Sequence, residues 1–484
     1  MIELDLAYKE HLYKQNQKRV EEQEKLYYYY IAEHEKMLEY LENALKKTFS
    51  DTVIREMQKD YLNITRKIID ETKVVYHEPP QRKVFINDAE NEALTEYFNS
   101  KLPIRQSSKD KKIQRFAGLF NTAIMEVFYN PFKKTFDYRI ENPANYSVIP
   151  HEDDDYRIGQ LMYKKYFKNE KGEDEHYTVV WTDEEHYKLD VNGNKVPFPD
   201  NEEMINPYGI MPFPIMREEE MDGFWGSGQT DIVNANEIIN VFLTDLASTT
   251  LLTAWGTPLF VNCGLDKKAT DDETSDVKEL AIGPRHPISI DNVSNDMVPP
   301  RIEYISQQPM ITELMNEIDW RIIMLARNKG LDANLFLKEV KATSGFSKVM
   351  DKVNQIEIRK DDIESCREFE KERFEIIKKI NNYYADIGEE GFEQIPEEAE
   401  LQIDFAEISL PETKDEKWKE REEMEKRNMA SPVDWLMDDN PELSKEDAEQ
   451  ILRDNKSLNG IQTTPPNPLE DLFNEEEQEE NDNT

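Results

Sequence analysis

Apolar residues recur three or four positions apart over most of the first seventy residues. From Glu10 to about Tyr76, charged positions alternate with Leu41, Leu45, Val53, Ile54, Met57, Tyr61, Ile64 and Ile68. This spacing predicts helix, divided at Ser50 and Asp51. Tyr27 to Tyr30 would point all around such a helix, so some of them must face protein. His77 to Asp88, with Pro79 and Pro80, reads as a break, followed by helices over Glu90 to Asn99 and, buried, over Ile113 to Tyr129.

After Pro131 the period changes. Short alternating runs rich in Tyr, Val and Thr, such as IGQLMYKKYF and HYTVVWT, predict antiparallel strands, with a tight turn at Asn192-Gly193. The Pro- and Gly-rich connector Asn206 to Ile232 leads into a helix from about Asp231 to Ala254 that stops at Trp255-Gly256-Thr257-Pro258. Thr244, Ser248, Thr249 and Thr250 make that helix too polar for a membrane span.

Gly256 to Gln308 reads as short strands around an acidic loop, and Pro309 opens a second helix ending at Gly330. LDANLFLKEVKATSG fits no long period and reads as a loop. From Ser344 to about Tyr384 a long helix follows, stopped by Gly388. A strand over Leu401 to Leu410, a charged helix over Glu412 to Arg427 and helix starts at Ser431-Pro432 and Ser444 come next. The tail from Asn459 is Pro-, Asn- and Glu-rich, a composition that predicts disorder. The fold class expected is therefore α+β.

Charge and chemistry narrow the picture. With 484 residues, 33% of them charged, and a formal net charge of −41, the chain repels polyanions, so any DNA contact must be local or weak. Cys263 and Cys366 are far apart and suit neither a disulfide framework nor a structural zinc site. The opening MIELDLAYKEHLYKQ lacks the apolar core of a signal peptide, so export by a standard signal is not expected.

There is no P-loop, dinucleotide glycine fingerprint, Ser-centred elbow or His/Cys metal set, so neither an enzyme nor a cofactor is expected. The cluster His151 to Asp155 could offer oxygens to a divalent cation, but without the glycine of a calcium loop it reads better as a solvated turn. His176 and His186 read as surface residues of a sheet. A helical scaffold is the rival reading; it requires a sustained heptad seam, which is absent, and leaves Pro131 to Ile215 unexplained.

The order helix, β-rich insertion, helix, loop, long helix resembles the portal (head-to-tail connector) proteins of tailed bacteriophages. Three stretches carry the resemblance: NPYGIMPFPIMRE before GSGQTDIVNANEIINVFLTDL; ATSGFSKVMDKVNQ, with Ser344 and Gly345 opening the long helix; and LQIDFAEISLPETKDEKW through SPVDWLMDD, with Ile403, Phe405, Pro411, Ser431 and Pro432 at matching places. The resemblance spans roughly Pro131 to Asp454.

It implies a wing with N-terminal helices (1–228), stem helices (229–255 and 309–329), a clip (256–308), a tunnel loop (330–343), a wing helix and strand (344–411), a crown (412–458) and an acidic tail (459–484). It also implies a homo-oligomeric ring, usually of twelve, at a capsid vertex of a virion assembled in the host cytoplasm, passing double-stranded DNA in packaging and ejection. Terminase, capsid and scaffolding proteins and a head-tail adaptor would be partners, with no membrane. Asn334, Lys338 and Lys341 would face DNA, although taken by themselves the lysines read more simply as a plain surface pair. Asp266, Lys267, Lys268, Asp271 and Asp272 would meet the motor or the adaptor.

Overall fold

The computed structural model describes residues 6–168, 172, 174–190, 192–220, 223–255, 257–261, 263–265, 290–292, 301–305, 311–331, 336, 345–406, 414–427, 429–439 and 445–458. It divides into two compact units, 1–408 and 409–484.

The first unit begins with α1 (Leu6–Ile31), α2 (His34–Leu45), α3 (Asp51–Glu56) and α4 (Ile64–Thr72). The expected division at Ser50 is present, and there are two further breaks. Ala32 takes a φ of 53°, which ends α1, and the Glu33 carboxylate caps α2 by accepting the Lys36 N–H. Met57 to Asn63 lies in neither helix nor strand. Of the four tyrosines, Tyr29 and Tyr30 are buried, Tyr30 edge-on to Phe116.

The break expected at His77 to Asp88 contains a strand. β1 (Gln81–Ile86) lies between β2 (Ala89–Glu90) and β15 (Ala399–Asp404), so its hydrogen-bonding partner is more than 300 residues away, running from Gln81↔Asp404 to Ile86↔Ala399. Next come α5 (Glu92–Lys101) and α6 (Gln106–Phe120).

The helix expected to reach Tyr129 stops nine residues short, and Thr122–Asn130 is β3. Asn121 makes the turn at φ 67°, a torsion asparagine tolerates better than most residues. Its side chain holds Glu219 twice, accepting the Glu219 N–H at 3.0 Å and donating to its carbonyl at 3.1 Å. β3 is buried on both faces from Thr122 to Val127, between β10 (Ile215–Arg217) and β4 (Thr135–Ile140). A doubly buried strand shows no alternation, so its apolar run passes for helix.

Five further strands form an antiparallel meander: β5 (Tyr146–His151), β6 (Asp154–Lys168), β7 (Asp174–Thr182), β8 (His186–Leu189) and β9 (Lys195–Val196). The turn at Asn192-Gly193 is where expected, with Gly193 at φ 82°. The meander has its own core around Tyr146, Leu161, Trp181 and Phe213.

Then follow α7 (Thr230–Trp255), the strands β11 (Thr257–Val261), β12 (Cys263–Leu265), β13 (Ile290–Asn292) and β14 (Arg301–Ile305), α8 (Ile311–Asn328) and α9 (Gly345–Asp386). The expected order of two helices flanking a β-rich module before one long helix is thus observed. Gly388, at φ 76°, follows the end of α9. β15 closes the unit, its apolar positions Ala399, Leu401 and Ile403 buried and alternating with exposed ones.

The second unit holds α10 (Lys414–Lys426), α11 (Pro432–Asp439) and α12 (Lys445–Leu458). Ser431 and Asp434 cap α11 reciprocally, the Ser431 N–H reaching the Asp434 carboxylate at 2.8 Å.

Candidate functional site

The candidate site is the two-helix segment α7 and α8, the strands between them and the long helix that follows. Its construction starts from a polar stripe on α7. Asn236, Asn240, Thr244 and Ser248 stand four apart, hence on one side of the helix, and each takes backbone groups of the irregular stretch between α3 and α4. Ser248 Oγ accepts the Gln58 N–H at 3.1 Å, Thr244 Oγ1 the Asp60 N–H at 3.1 Å and Asn240 Oδ1 the Leu62 N–H at 3.0 Å. Asn236 Oδ1 accepts from Ile64 N, Thr65 N and the Thr65 hydroxyl.

The spacing explains the match. Two residues of extended chain advance about 6.6 Å and four residues of helix about 6 Å, so alternate N–H groups meet successive rungs. Alternate backbone groups of the stretch from 57 to 63 are thus satisfied without a strand partner, and α7 is fixed to the N-terminal helices. Two of the four hydroxyls that made α7 look polar in sequence, those of Thr244 and Ser248, are rungs.

α8 returns alongside α7 and is clasped to its start. The Lys329 ammonium reaches Gln229 Oε1 and Asp231 Oδ2, both at 2.7 Å. Termination is sharp: Leu331 N donates to the Ala326 carbonyl at 2.9 Å and Gly330 N to that of Arg327 at 3.0 Å, around Gly330 at φ 69°. A Cβ at Gly330 would lie 2.4 Å from Ile358 Cδ1 of α9, so the stop also sets how closely the two helices approach. Between α7 and α8, β11 pairs with β14 from Thr257↔Ile305 to Val261↔Arg301, and β12 with β13.

α9 is tied into the first unit by charge as well as by Phe369, Phe374, Ile377 and Ile380. Arg82 of β1 and Arg373 of α9 each touch both Asp110 of α6 and Glu370 of α9, closing a charge-balanced four-residue ring. Arg82 reaches Asp110 at 2.7 Å and Glu370 at 2.8 Å, and Arg373 reaches Asp110 at 2.7 Å and Glu370 at shorter range. All four side chains are at most 5% exposed. Burial opposes ionisation of Glu370, but Arg373 and Arg82 overcome it and hold its pKa down at about 2. The Tyr76 hydroxyl adds a hydrogen bond to Glu370 at 3.0 Å.

A second buried cluster joins Lys73, Glu218 and Asp362. There burial raises the pKa of Asp362 to about 6 against the pull of Lys73. In both clusters the acids already have cationic partners, an arrangement suited to holding helices in place.

The residues expected to meet DNA, Asn334, Lys338 and Lys341, and those expected to meet the motor or adaptor, Asp266, Lys267, Lys268, Asp271 and Asp272, lie outside the described residues. The acidic run after His151 spans the turn between β5 and β6 and the first residues of β6, exposed from Glu152 to Arg157. Among the described residues, no group of three or more His, Cys, Asp or Glu is placed to hold a metal ion, and no helix is long and apolar enough to cross a membrane. His176 sits beside Tyr166 on the sheet. His186 is no simple surface residue: it stacks between Trp181 at 3.5 Å and Phe198 at 4.3 Å, and burial lowers its pKa to about 4.

The α7 rungs and the four-residue charge ring were missed in sequence. The rungs carried a signal, polar residues at i, i+4, i+8 and i+12 in an apolar helix. The ring carried none, because its members come from three distant elements.

No family model matches the chain, and no curated protein matches it. Among solved structures it is similar to a chain in the neck of an empty gene transfer agent (GTA) particle computed with C6 symmetry. The TM-score is 0.37 at 10% identity, covering 83% of this chain and 91% of that one. It is also similar to a chain in the virion of a native GTA particle, with a TM-score of 0.36 at 10% identity, covering 76% and 85%.

Proposed function

We propose that this chain is the portal subunit of a tailed-phage-like particle, a non-enzymatic protein that assembles into a ring at one capsid vertex and passes double-stranded DNA in packaging and ejection. The observation that carries the reading is the order α7, short strands (four among the described residues), α8, the abrupt stop at Gly330 and the 42-residue α9. α7 and α8 would be the stem, 256–308 the clip that meets terminase and later the head-tail adaptor, 330–343 the tunnel loop and 412–458 the crown. Capsid and scaffolding proteins would surround the wing.

The net charge of −41 supports a conduit that does not grip. A wall neutralising many phosphates would hold DNA through counterion release, whereas an acidic wall lets it slide. Lys338 and Lys341 are the proposed exceptions, making weak, sequence-independent phosphate contacts as mobile point charges. Hydrolysis would belong to the motor, since this chain has no phosphate-cradling loop.

Electron microscopy of the purified protein tests the reading. Rings with a central hole are expected, and a preparation of monomers or rods would overturn it. Deleting Asp266 to Asp276 tests the clip: packaging by the cognate motor should fail, and unchanged packaging would remove that assignment.

A further inference from the structure

The β6–β7 hairpin outruns its sheet. β5 pairs with β6 only as far as Tyr146↔Tyr163, and β8 pairs with β7 only from Thr178↔Leu189. Past those points, Lys165 to Lys168 and Asp174 to Tyr177 pair with each other and with no other described strand, from Lys165↔Tyr177 to Lys168↔Asp174. This arm is a two-stranded ribbon about 14 Å long with an open edge on each side. A ribbon of that kind is marginal in water by itself. Its β6 strand is exposed throughout, Tyr166 at 70% and Phe167 at 43%. Elsewhere in the first unit, edge strands have side chains on their backbone. Lys109 and Lys112 donate to the Tyr138 and Ile140 carbonyls of β4, Arg19 to the Tyr146 carbonyl of β5, and Lys378 to the Ala399 carbonyl of β15.

The two strands of the arm carry opposite charge. Lys164, Lys165 and Lys168 stand on β6 and Asp174 and Glu175 on β7, while the sequence between them adds Glu170, Lys171 and Glu173. At the base of the arm, Lys188 of β8 stands over Tyr177, and Lys165 attracts the buried Glu126, which Arg139 already pairs.

We propose that the β6 edge of one arm pairs with the β7 edge of the arm on the next copy, so that the arms join into a continuous antiparallel ribbon around the ring. The inference rests on the ring reading above and deepens it by naming the two edges that meet. The occupant is a second copy because the two edges of one arm complement each other. Copies set side by side in one orientation, as in a head-to-tail ring, place β6 beside a β7 that runs the opposite way, and so repeat the ladder present within each arm. In the same register, Lys168 stands opposite Asp174 and Lys165 diagonal to Glu175. Pairing β6 with β6 would gather lysines, and β7 with β7 acids, so charge selects the head-to-tail contact.

Two charge-reversed variants test it. Lys165→Glu with Lys168→Glu makes the outer arm acidic on both strands, and Asp174→Lys with Glu175→Lys makes it basic on both. In native mass spectrometry each alone should lose about tenfold or more in ring yield. Mixed, they should recover rings holding the two variants in equal number, because each junction then sets an acidic edge against a basic one. If mixing restores nothing, the charges act within an arm and the inference is overturned. Hydrogen exchange on the wild type needs no variant: the amides of 165–168 should exchange about tenfold or more slowly in rings than in dissociated subunits, and equal rates overturn the contact. If the wild type forms rings and each variant alone does so undiminished, this contact is wrong and the ring reading stands. If the wild type never assembles, the ring reading itself fails, and this inference with it.

Discussion

Thr244 Oγ1 both accepts the Asp60 N–H and donates to the Asp60 carbonyl, each at 3.1 Å, so one hydroxyl satisfies both backbone groups of a residue that has no strand neighbour. Asn236 does more, accepting three hydrogen bonds and donating to the Leu62 carbonyl at 2.9 Å. A neutral hydrogen bond contributes about 1 kcal/mol net, and an orphaned buried group costs about 1–3 kcal/mol. Thr244→Val should therefore cost about 1 kcal/mol and Asn236→Ala about 3 kcal/mol. Urea unfolding checks the totals. Hydrogen exchange should show faster exchange at the amides of 58 to 65 in both variants and little change in the β5–β9 meander.

Arg373 and Glu370 make a different kind of prediction, because removing one member of a buried charge ring leaves another uncompensated. Arg373→Ala should destabilise by about 3–5 kcal/mol. The pH dependence follows from Glu370, whose folded pKa of about 2 lies below the usual 4.5. The unfolded chain then binds more protons between those values, so this stabilisation is complete above pH 4.5 and disappears as pH falls toward 2. A fall of about 3 kcal/mol is expected across that window. Chemical denaturation from pH 6 to pH 3 should show a shallower slope in Glu370→Gln, and an unchanged slope would show that the ring contributes no linkage.

The parts of the fold legible in sequence are those built from local periodicity. α9 carries an apolar face along its length, the helices on either side of 256–308 carry period and stop signals, and Gly193, Gly330 and Gly388 mark turns by conformational need. β1 was hidden because its partner β15 is more than 300 residues away and prolines precede it. β3 was hidden because burial on both faces removes the alternation that identifies a strand. The charge ring was illegible for a related reason: Asp110 in a helix of lysines looks like a solvated residue, and only the tertiary packing puts it between two arginines.

His186 is held between Trp181 and Phe198, where burial favours the neutral imidazole and lowers its pKa to about 4. Here too the unfolded state binds more protons, now between pH 6.5 and 4. Stability from this group is therefore full above about pH 6.5 and decreases as pH falls through that window, by about 2 kcal/mol once the roughly 3 kcal/mol implied by the shift is reduced for the partial exposure of the imidazole. Replacing it by Phe keeps the stack and removes the titration. The β5–β9 meander of His186→Phe, followed by tryptophan fluorescence, should lose less stability than wild type as pH falls from 6.5 to 4.5.

Gly330 combines two separable constraints, a positive φ and the contact with Ile358. Gly330→Ala incurs both, the left-handed conformation costing about 1 kcal/mol and the collision a further 1–3 kcal/mol as α8 and α9 are pushed apart. The double variant Gly330→Ala with Ile358→Ala separates them. Removing the Ile358 side chain opens space for the new Cβ, so the double variant should be less destabilised than the sum of the singles by about 1 kcal/mol or more. Strict additivity in a double-mutant cycle would mean that the approach of α8 to α9 does not depend on this contact. A positive coupling would identify Gly330 as the residue that sets the spacing of the two helices, because it is where the chain leaves one and starts toward the other.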